Sequence, residues 1–306
     1  MKFCEKLSRL SALINNYYII IYSEVQKFEF QFLIKLKKGE FMTKKYFDYT
    51  GKVVVITGAS SGLGKQMAEG FAAVHANLAL LARRVERLEA LAKELHEEFG
   101  VDVLPVKCDV TSAESIEAAV AAVKEHFGHA EVLVNDAGGE KGTGTPLLDF
   151  KDSDWDFTLG LDLTSIYKVT KAFGNLMKEG MASGKQTYGR VINIASIYGL
   201  VGNTAIPTIA YHTTKGGVVN FTRGAAAELA PFGITVNAIC PGYFFTELTE
   251  ETLKSEYFQE FANRSVPMKR YGNPGELNSA AIFLGAEESS YVTGQALAVD
   301  GGYTCI

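Results

Sequence analysis

A tyrosine and a lysine one helical turn apart, Tyr211 and Lys215, are the residues whose types and spacing most directly suggest chemistry. Residues four apart lie on one face of an α-helix, so the lysine ammonium can lie beside the tyrosine hydroxyl. A nearby positive charge favours the phenolate, and we expect it to lower the pKa of Tyr211 from its ordinary value of about 10. A tyrosine tuned in this way can give or take a proton near neutral pH. The pair alone is a weak signal, because most pairs with this spacing are solvated neighbours on a helix.

Length and composition predict one large catalytic domain. The chain has 306 residues, of which 47% are hydrophobic and 21% are charged, and this mixture suits a single core rather than disorder. The formal net charge of -5 provides no basic field, so we predict no nucleic-acid partner.

The cysteines predict a reduced, cytoplasmic protein without a metal site. Cys4, Cys108, Cys240 and Cys305 are far apart and form no cluster with histidines. Neither a zinc site nor a disulfide framework is therefore expected. Cys108 and Cys240 lie at the ends of apolar runs, and we predict that they are small buried hydrophobic residues.

Residues 1–42 differ from the rest and are predicted to be an N-terminal extension before a catalytic domain at 43–306. Basic residues precede an apolar patch, as in a signal peptide. Polar and charged residues cut this patch short of the roughly 20 residues that a membrane helix needs, so we predict neither secretion nor a membrane span. Two alternatives stay open: translation begins at Met42, or an amphipathic extension packs on the domain or on a partner.

A glycine-rich turn between a strand and a helix predicts a dinucleotide site. Residues 53–56 form an apolar, β-branched run typical of a buried parallel strand, and Thr-Gly-Ala-Ser-Ser-Gly-Leu-Gly follows at 57–64. Such a turn lets backbone N–H groups approach a pyrophosphate, which the positive end of the next helix stabilises. The residues predicted to bind the cofactor here are Gly58, Ser60, Ser61, Gly62, Leu63 and Gly64.

The end of the second predicted strand favours NADP(H) over NAD(H). NAD sites usually carry an acidic residue here that binds the ribose, whereas a 2′-phosphate requires cations. After the apolar run at 78–81 the sequence has Arg83 and Arg84 and no acid. We predict that these arginines bind the cofactor and that Arg83 holds the phosphate. The alternative is that both are solvated charges at the start of the next helix.

Further strands and turns follow in an order that can be compared with a known family. Runs rich in apolar residues at 103–106, 132–134, 190–194 and 234–239 predict strands. The motifs at their ends are Asp109-Val110, Asn135-Asp136-Ala137-Gly138, Ala195-Ser196 and Cys240-Pro241-Gly242, and a last motif occupies residues 294–302. Together with the glycine turn and the Tyr211–Lys215 pair, these motifs resemble the short-chain dehydrogenase/reductase family over about residues 51–302.

The resemblance implies an α/β structure, a doubly wound Rossmann fold in a single domain with a seven-stranded parallel sheet flanked by helices. It implies hydride transfer between NADP(H) and a secondary alcohol or ketone, and assembly as a homodimer or homotetramer. Ser196, Tyr211 and Lys215 are the implied catalytic residues, and Tyr211 and Lys215 also contact the cofactor. The other implied cofactor contacts are Asp109, Val110, Asn135, Ala137, Gly138, Pro241, Gly242, Phe244 and Thr246.

Two acidic residues depart from the family pattern. Asp162 stands where the family has an asparagine in a helix kink, which holds a water that links the active-site lysine to solvent. If the main-chain carbonyl of residue 162 holds the water, we predict that Asp162 keeps the proton relay. If the side-chain amide of asparagine is needed, we expect slower proton exchange and a changed pKa of Tyr211. Asp136 also replaces an asparagine, at a position that we expect to be tolerant.

His212 points about 100° around the helix from Tyr211 and is predicted to be a surface or interface residue.

The substrate implied by resemblance is a sugar acid. Asp162, the segment after Pro241 and residues 267–270 resemble the gluconate 5-dehydrogenase branch of the family, and Lys269 and Arg270 are candidates to hold the substrate carboxylate. The aromatic-rich segment at 247–270 predicts a lid. One alternative is a 3-oxoacyl-(acyl-carrier-protein) reductase, which shares every catalytic motif. An alternative of another class is a non-catalytic NADP-binding protein.

Overall fold

Seven parallel strands form one sheet at the centre of the protein. The computed structural model describes residues 46–202, 206–247 and 249–306, and Phe47–Ile306 form a compact unit. The strands are β1 (Val53–Thr57), β2 (Asn77–Ala82), β3 (Val103–Lys107), β4 (Val132–Asn135), β5 (Gly189–Ile194), β6 (Ile234–Pro241) and β7 (Ala296–Val299). Their order is β3-β2-β1-β4-β5-β6-β7, and all neighbouring pairs are parallel. The predicted doubly wound α/β fold is confirmed.

Helices connect the strands and cover both faces of the sheet. The helices of the described residues are α1 (Gly62–Ala73), α2 (Val85–Phe99), α3 (Ala113–His126), α4 (Asp152–Leu159), α5 (Ser165–Ala182), α6 (Ile209–Leu229), α7 (Glu250–Leu253), α8 (Glu256–Ser265) and α9 (Asn278–Gly285). A π-helical turn, Gly160–Thr164, joins α4 to α5.

Alternating side chains of each strand pack against the two helical layers. Val54 and Ile56 of β1 share a cluster with residues of α1, α2 and α9, whereas Val53 and Val55 pack with residues of α3, α5 and α6. Successive side chains of a strand point to opposite faces, so a strand covered on both faces must be apolar along its length. This explains why contiguous apolar runs predict the strands. Cys108 and Cys240 are free and buried, as predicted.

The sheet topology gathers the predicted site residues at one edge. The chain builds β1, β2 and β3 outward in one direction and then crosses β1 to build β4 to β7 in the other. Ligands of open α/β sheets bind outside the carboxyl ends of the strands at this point of reversal. The predicted motifs follow the carboxyl ends of β1, β2, β3, β4, β5 and β6, so their loops converge there.

Two helical regions of the structure are interrupted. α4 and α5 form one helical path through the π turn between them, and this turn changes the direction in which the side chains project. The predicted lid at 247–270 contains two short helices, α7 and α8, because Ser255 adopts an extended conformation before α8. No helix in the described part of the chain is long and apolar enough to span a membrane. The predicted N-terminal extension lies outside the described residues.

Candidate active site

A cleft of about 820 Å³ lies at the carboxyl edge of the sheet. All of the residues predicted to be catalytic or to bind the cofactor line this cleft except Gly64 and Asn135. Asn135 is buried instead, and its amide donates to Thr170 Oγ1 at 2.9 Å and to Asn193 Oδ1 at 2.8 Å. It therefore holds β4 to β5 and to α5 beneath the cleft.

The glycine turn after β1 has the conformation that only glycine adopts freely. Gly58 has φ +74°, and a Cβ there would lie 2.9 Å from the backbone of Ala137. This close approach joins the turn to the loop after β4. Ser61 precedes α1 without capping it through its side chain, which leaves the first backbone N–H groups of α1 for an anion. Thr246 lies over the turn, because a Cβ on Gly62 would be 4.0 Å from its methyl group.

Tyr211, Lys215 and Ser196 come together at the centre of the cleft. Tyr211 lies in the first turn of α6, and the Nζ of Lys215 lies 5.2 Å from the centroid of the tyrosine ring. The same Nζ donates to the carbonyl oxygen of Ile194, the last residue of β5, at 3.1 Å. Ser196 follows two residues later, and its hydroxyl interacts with the Tyr211 side chain. Strand β5 and helix α6 thus position all three side chains.

Asp162 lies directly beside this group on the π turn. Its side chain is fully buried, with Oδ2 at 3.5 Å from the Nζ of Lys215. The backbone N–H of Gly139 donates to Oδ1 at 2.7 Å. Burial alone favours the neutral amine, but Asp162 and Tyr211 outweigh it and raise the pKa of Lys215. Asp162 and Lys215 therefore form a buried ion pair.

The pKa of Tyr211 is raised, so the expected lowering is wrong. Burial is the largest cause, because a phenolate loses its hydration in the cleft. Lys215 acts in the expected direction, but Asp162 raises the pKa and offsets part of the lysine charge. A lower tyrosine pKa therefore requires a further positive charge or the removal of a negative one.

Three arginines line the end of the cleft beyond the glycine turn. Arg84 donates from Nη2 to the hydroxyls of Ser60, at 3.2 Å, and Ser61, at 3.1 Å. Arg87, which the sequence interpretation did not select, pairs with Glu247 at 3.3 Å. For Arg83 no hydrogen bond is formed within the described ranges, so its guanidinium is available to a ligand. The cleft therefore has a cationic end.

The loop after β3 is ordered by local hydrogen bonds. The N–H and the hydroxyl of Thr111 donate to Asp109 Oδ1 at 2.9 and 2.7 Å, and these bonds are the main reason that the pKa of Asp109 is lowered. Ser112 caps α3, so Asp109 is not the helix cap. Val110 lines the cleft beside it.

Tyr198 and Tyr243 form an aromatic wall that sequence interpretation missed. Their hydroxyl oxygens lie 2.6 Å apart, and the ring of Tyr198 stacks on that of His212 with centroids 4.5 Å apart. His212 is half-buried beneath this stack, with its Nε2 buried, so only part of its side chain reaches the surface. Tyr243 also contacts Phe258 and Phe261 of α8 edge-on, so the lid is joined to α6 through aromatic rings.

The lid cations do not enter the cleft. Arg270 forms a two-point ion pair with Glu276, at 2.7 and 2.8 Å, and neither Arg270 nor Lys269 lines the cleft. The interpretation of Arg270 as a clamp for a substrate carboxylate is therefore wrong in this structure. No group of three metal-ligating side chains occurs within residues 46–202, 206–247 and 249–306.

Comparison with known proteins places the chain in a family. A family model described as enoyl-(acyl carrier protein) reductase matches residues 58–304. The chain belongs to the short-chain dehydrogenase/reductase family. As a member of this family, it is an NAD(P)-dependent oxidoreductase that acts on a CH–OH group or the corresponding carbonyl.

Its relatives within the family divide between two substrate classes. The chain is 35% identical to the 5-keto-D-gluconate 5-reductase of Escherichia coli K12, over 84% of this chain and 96% of that protein. It is 33% identical to the 3-oxoacyl-(acyl-carrier-protein) reductase of Aquifex aeolicus, over 82% and 97%. A gluconate 5-dehydrogenase from Burkholderia cenocepacia, solved with NADP and tartrate, has a TM-score of 0.77 and 32% identity and covers 85% of this chain and 98% of its own.

Asp136 is an unusual acid behind the glycine turn of this family member. The N–H of Gly64 hydrogen-bonds its carboxylate, and a Cβ on Gly64 would lie 2.6 Å from Oδ2. Burial raises the pKa of Asp136 to about 7, while Lys215 opposes the shift. This carboxyl therefore lies beside the glycine turn with a pKa well above that of an exposed aspartate.

Proposed function

We propose that this protein transfers hydride between NADP(H) and a secondary alcohol or ketone, with 5-keto-D-gluconate and gluconate as the substrate pair. The observation that carries the proposal is the cluster of Ser196, Tyr211 and Lys215 beside a cleft that begins at a glycine turn. Similarity to the 5-keto-D-gluconate 5-reductase and the gluconate 5-dehydrogenase supports the substrate.

The residues of the chain handle the proton and orient the reacting oxygen. When bound, NADPH supplies hydride to the carbonyl carbon. Tyr211 donates its hydroxyl proton to the carbonyl oxygen, and the Ser196 hydroxyl donates a hydrogen bond that orients that oxygen. Lys215 keeps a positive charge beside the phenolate that forms. Oxidation runs through the same steps in reverse.

The cationic end of the cleft suits the 2′-phosphate of NADP(H). We assign this phosphate to Arg83 and Arg84, with the glycine turn and Thr246 at the pyrophosphate. Asp109 and Val110 border the adenine, and Ala137, Gly138, Pro241, Gly242 and Phe244 border the ribose and nicotinamide. These roles follow from family resemblance together with the position of each residue along the cleft.

Replacing Arg83 with alanine should lower kcat/KM for NADPH by about 10- to 100-fold, because a hydrogen bond to a charged group contributes about 1.5–3 kcal/mol. The value for NADH should remain within about threefold, since NADH has no 2′-phosphate. Steady-state kinetics with both cofactors would measure the ratio, and Arg264→Ala on the exposed face of α8 provides a control. An unchanged preference for NADPH would refute the assignment of Arg83.

Replacing Asp162 with asparagine should move the pH dependence of turnover to lower pH. Asp162 raises the pKa of Tyr211, so removing its charge lowers that pKa. Alcohol oxidation requires ionised Tyr211 and should therefore become faster at neutral pH. Ketone reduction requires protonated Tyr211 and should lose rate at a lower pH than in the wild type.

The amide at position 162 still accepts the Gly139 N–H, so the comparison isolates charge. We would measure kcat in both directions from about pH 6 to about pH 10. Asp156→Asn on the exposed face of α4 is the matched control and should leave both profiles in place. Identical profiles for the wild type and Asp162→Asn would exclude an effect of this carboxylate on the proton transfer.

The substrate assignment is tested by parallel reduction of two ketones. NADPH oxidation by the purified protein would be followed with 5-keto-D-gluconate and with an acetoacetyl thioester. Faster turnover of the keto acid supports the proposal. Preference for the thioester favours the second candidate, a 3-oxoacyl-(acyl-carrier-protein) reductase, which the similar Aquifex aeolicus enzyme suggests. NADPH binding without turnover of any ketone would favour the non-catalytic alternative.

We further propose a cytoplasmic homodimer or homotetramer, with a catalytic domain at 43–306. The net charge of -5 is unfavourable for binding nucleic acid. The family relationship also agrees with a small-molecule substrate. Light scattering of the purified protein would give the assembly size.

A further inference from the structure

An acidic residue without a role in the proposed proton transfer lines the cleft near the catalytic residues. Glu140 lies in the loop after β4, two residues beyond Gly138, and lines the cleft together with Ser196 and Tyr211. It is close enough to the reaction centre for its charge to raise the pKa of Tyr211. Glu140 therefore borders the space in which the reacting carbonyl must lie.

Only one oxygen of the Glu140 carboxylate accepts a hydrogen bond from the described residues. Oε1 accepts the hydroxyl of Thr143 at 2.6 Å, and the described residues give Oε2 no hydrogen-bond donor. Burial and the nearby Asp162 carboxylate raise the pKa of Glu140, so placing an acid here is costly. An ionised carboxylate accepts hydrogen bonds only, and its natural partners are N–H and O–H donors.

The other charged groups determine which donor suits this place. Among the described residues that line the cleft, the cations are the three arginines at the far end and Lys215. Lys215 is bound by Asp162 and by the carbonyl of Ile194. A substrate carboxylate near Glu140 would therefore meet negative charge without a free cation, whereas a hydroxyl would find an acceptor.

The wall formed by Tyr198 and Tyr243 complements this acid. Tyr243 lines the cleft, its hydroxyl is hydrogen-bonded to that of Tyr198, and the Tyr198 ring packs edge-on against Tyr211. Binding sites commonly combine apolar and aromatic walls with a few placed polar groups. An acid and an aromatic ring in one cleft suit a carbon chain that carries hydroxyls along one edge and C–H bonds along its faces.

We propose that Glu140 is a specificity-determining residue that accepts hydrogen bonds from substrate hydroxyls next to the reacting carbonyl. The inference rests on the proposed function. Hydrogen bonds to Glu140 would also orient the substrate, with its hydroxylated carbons facing Glu140 and any carboxylate pointing away from it. A site built to bind a substrate hydroxyl strongly rejects an analogue that lacks it, because its polar group is then left unpaired.

Two pairs of ketones test the proposal. The first pair is 5-keto-D-gluconate and 5-oxohexanoate, which share the carboxylate, the chain length and the carbonyl position. The second is D-xylulose and pentan-2-one, which carry no charge. Wild-type kcat/KM with NADPH should favour the hydroxylated member of each pair. Glu140→Leu should reduce kcat/KM for the hydroxylated ketones by about 10- to 100-fold. It should leave kcat/KM for the deoxygenated ketones within about threefold of the wild-type value.

Control variants separate recognition from electrostatics and folding. Glu140→Gln keeps an acceptor oxygen and should lose less than Glu140→Leu, while Glu117→Leu on the exposed face of α3 makes the same change away from the cleft. An equal loss on both members of a pair would overturn the inference, because Glu140 would then act on Tyr211. Equal wild-type rates on both members would also overturn it and leave the proposed function intact. No turnover of any of the ketones would overturn both.

Discussion

Tyr211→Phe should lower kcat by about 10²- to 10⁴-fold, the range in which a positioned proton donor contributes to catalysis. The substitution removes only the hydroxyl. The phenyl ring keeps its place in the first turn of α6 and its edge contact with Tyr198, whose ring centroid lies 6.1 Å away. Without the hydroxyl, the oxygen of the reduced substrate keeps the hydrogen bond from Ser196 but loses the group that transfers a proton to it.

Cofactor binding should survive the same substitution. The glycine turn and the three arginines lie at the other end of the cleft, so the Kd for NADPH should change by less than about fivefold. Quenching of protein fluorescence by NADPH would measure binding, and absorbance would measure turnover. Tyr167→Phe, which removes a hydroxyl from the exposed face of α5, should match the wild type in both. Turnover retained in Tyr211→Phe would exclude this tyrosine as the proton donor.

Lys215→Met should destabilise the protein by about 3–5 kcal/mol in addition to reducing its activity. The Nζ of Lys215 lies 3.5 Å from Oδ2 of Asp162, and both side chains are almost completely buried. Removing the lysine leaves a carboxylate in the core without its counter-ion. The cost is therefore that of an uncompensated buried charge, not the small contribution of a surface salt bridge.

A double-mutant cycle distinguishes this cause from lost packing. Asp162→Asn keeps the acceptor for the Gly139 N–H, so Lys215→Met combined with Asp162→Asn should recover about 2–3 kcal/mol of the loss. Urea unfolding at one fixed protein concentration would give the stabilities, since assembly also affects them.

The exposed pair of Lys124 and Glu179 provides the control for this cycle. Its two atoms lie 2.7 Å apart, and both side chains are more than half exposed. Lys124→Met should therefore cost less than about 1 kcal/mol. If Lys215→Met proved as mild as Lys124→Met, the buried ion pair would not exist in solution.

The elements of the fold could be predicted because their signals are local. β1 appears in the sequence as a contiguous apolar run, since a strand covered on both faces needs apolar residues at every position. The glycine turn can be identified for a similar reason, because Gly58 needs φ +74° and has no room for a Cβ. Family motifs then identified Ser196, Tyr211 and Lys215 as neighbours.

What could not be predicted depends on residues that are distant in sequence. The pairing of Asp162 with Lys215 requires a π turn, which an apolar periodicity does not reveal. The pKa of Tyr211 depends on burial and on this same carboxylate, whereas the sequence shows only the neighbouring lysine. The role of Glu140 likewise depends on where a loop passes, and loops carry no periodic signal.

The surroundings of His212 and Arg270 also depend on partners from other segments. Helical geometry predicts the direction of His212 around α6, but the loop after β5 brings the Tyr198 ring against it. Resemblance suggests Arg270 as a clamp for a carboxylate, but Glu276 already binds its guanidinium at two points. Neither contact has a periodic signal in the sequence.

The most direct test of hydride transfer is to follow the hydride itself. NADPH deuterated at C4 of the nicotinamide, on the face that transfers, would be incubated with the protein and either 5-keto-D-gluconate or an acetoacetyl thioester. We expect an alcohol product that carries one deuterium on the former carbonyl carbon, formed by the wild type and almost abolished in Tyr211→Phe. NADPH that binds but delivers no deuterium to either ketone, or a labelled product formed equally well by Tyr211→Phe, would contradict it.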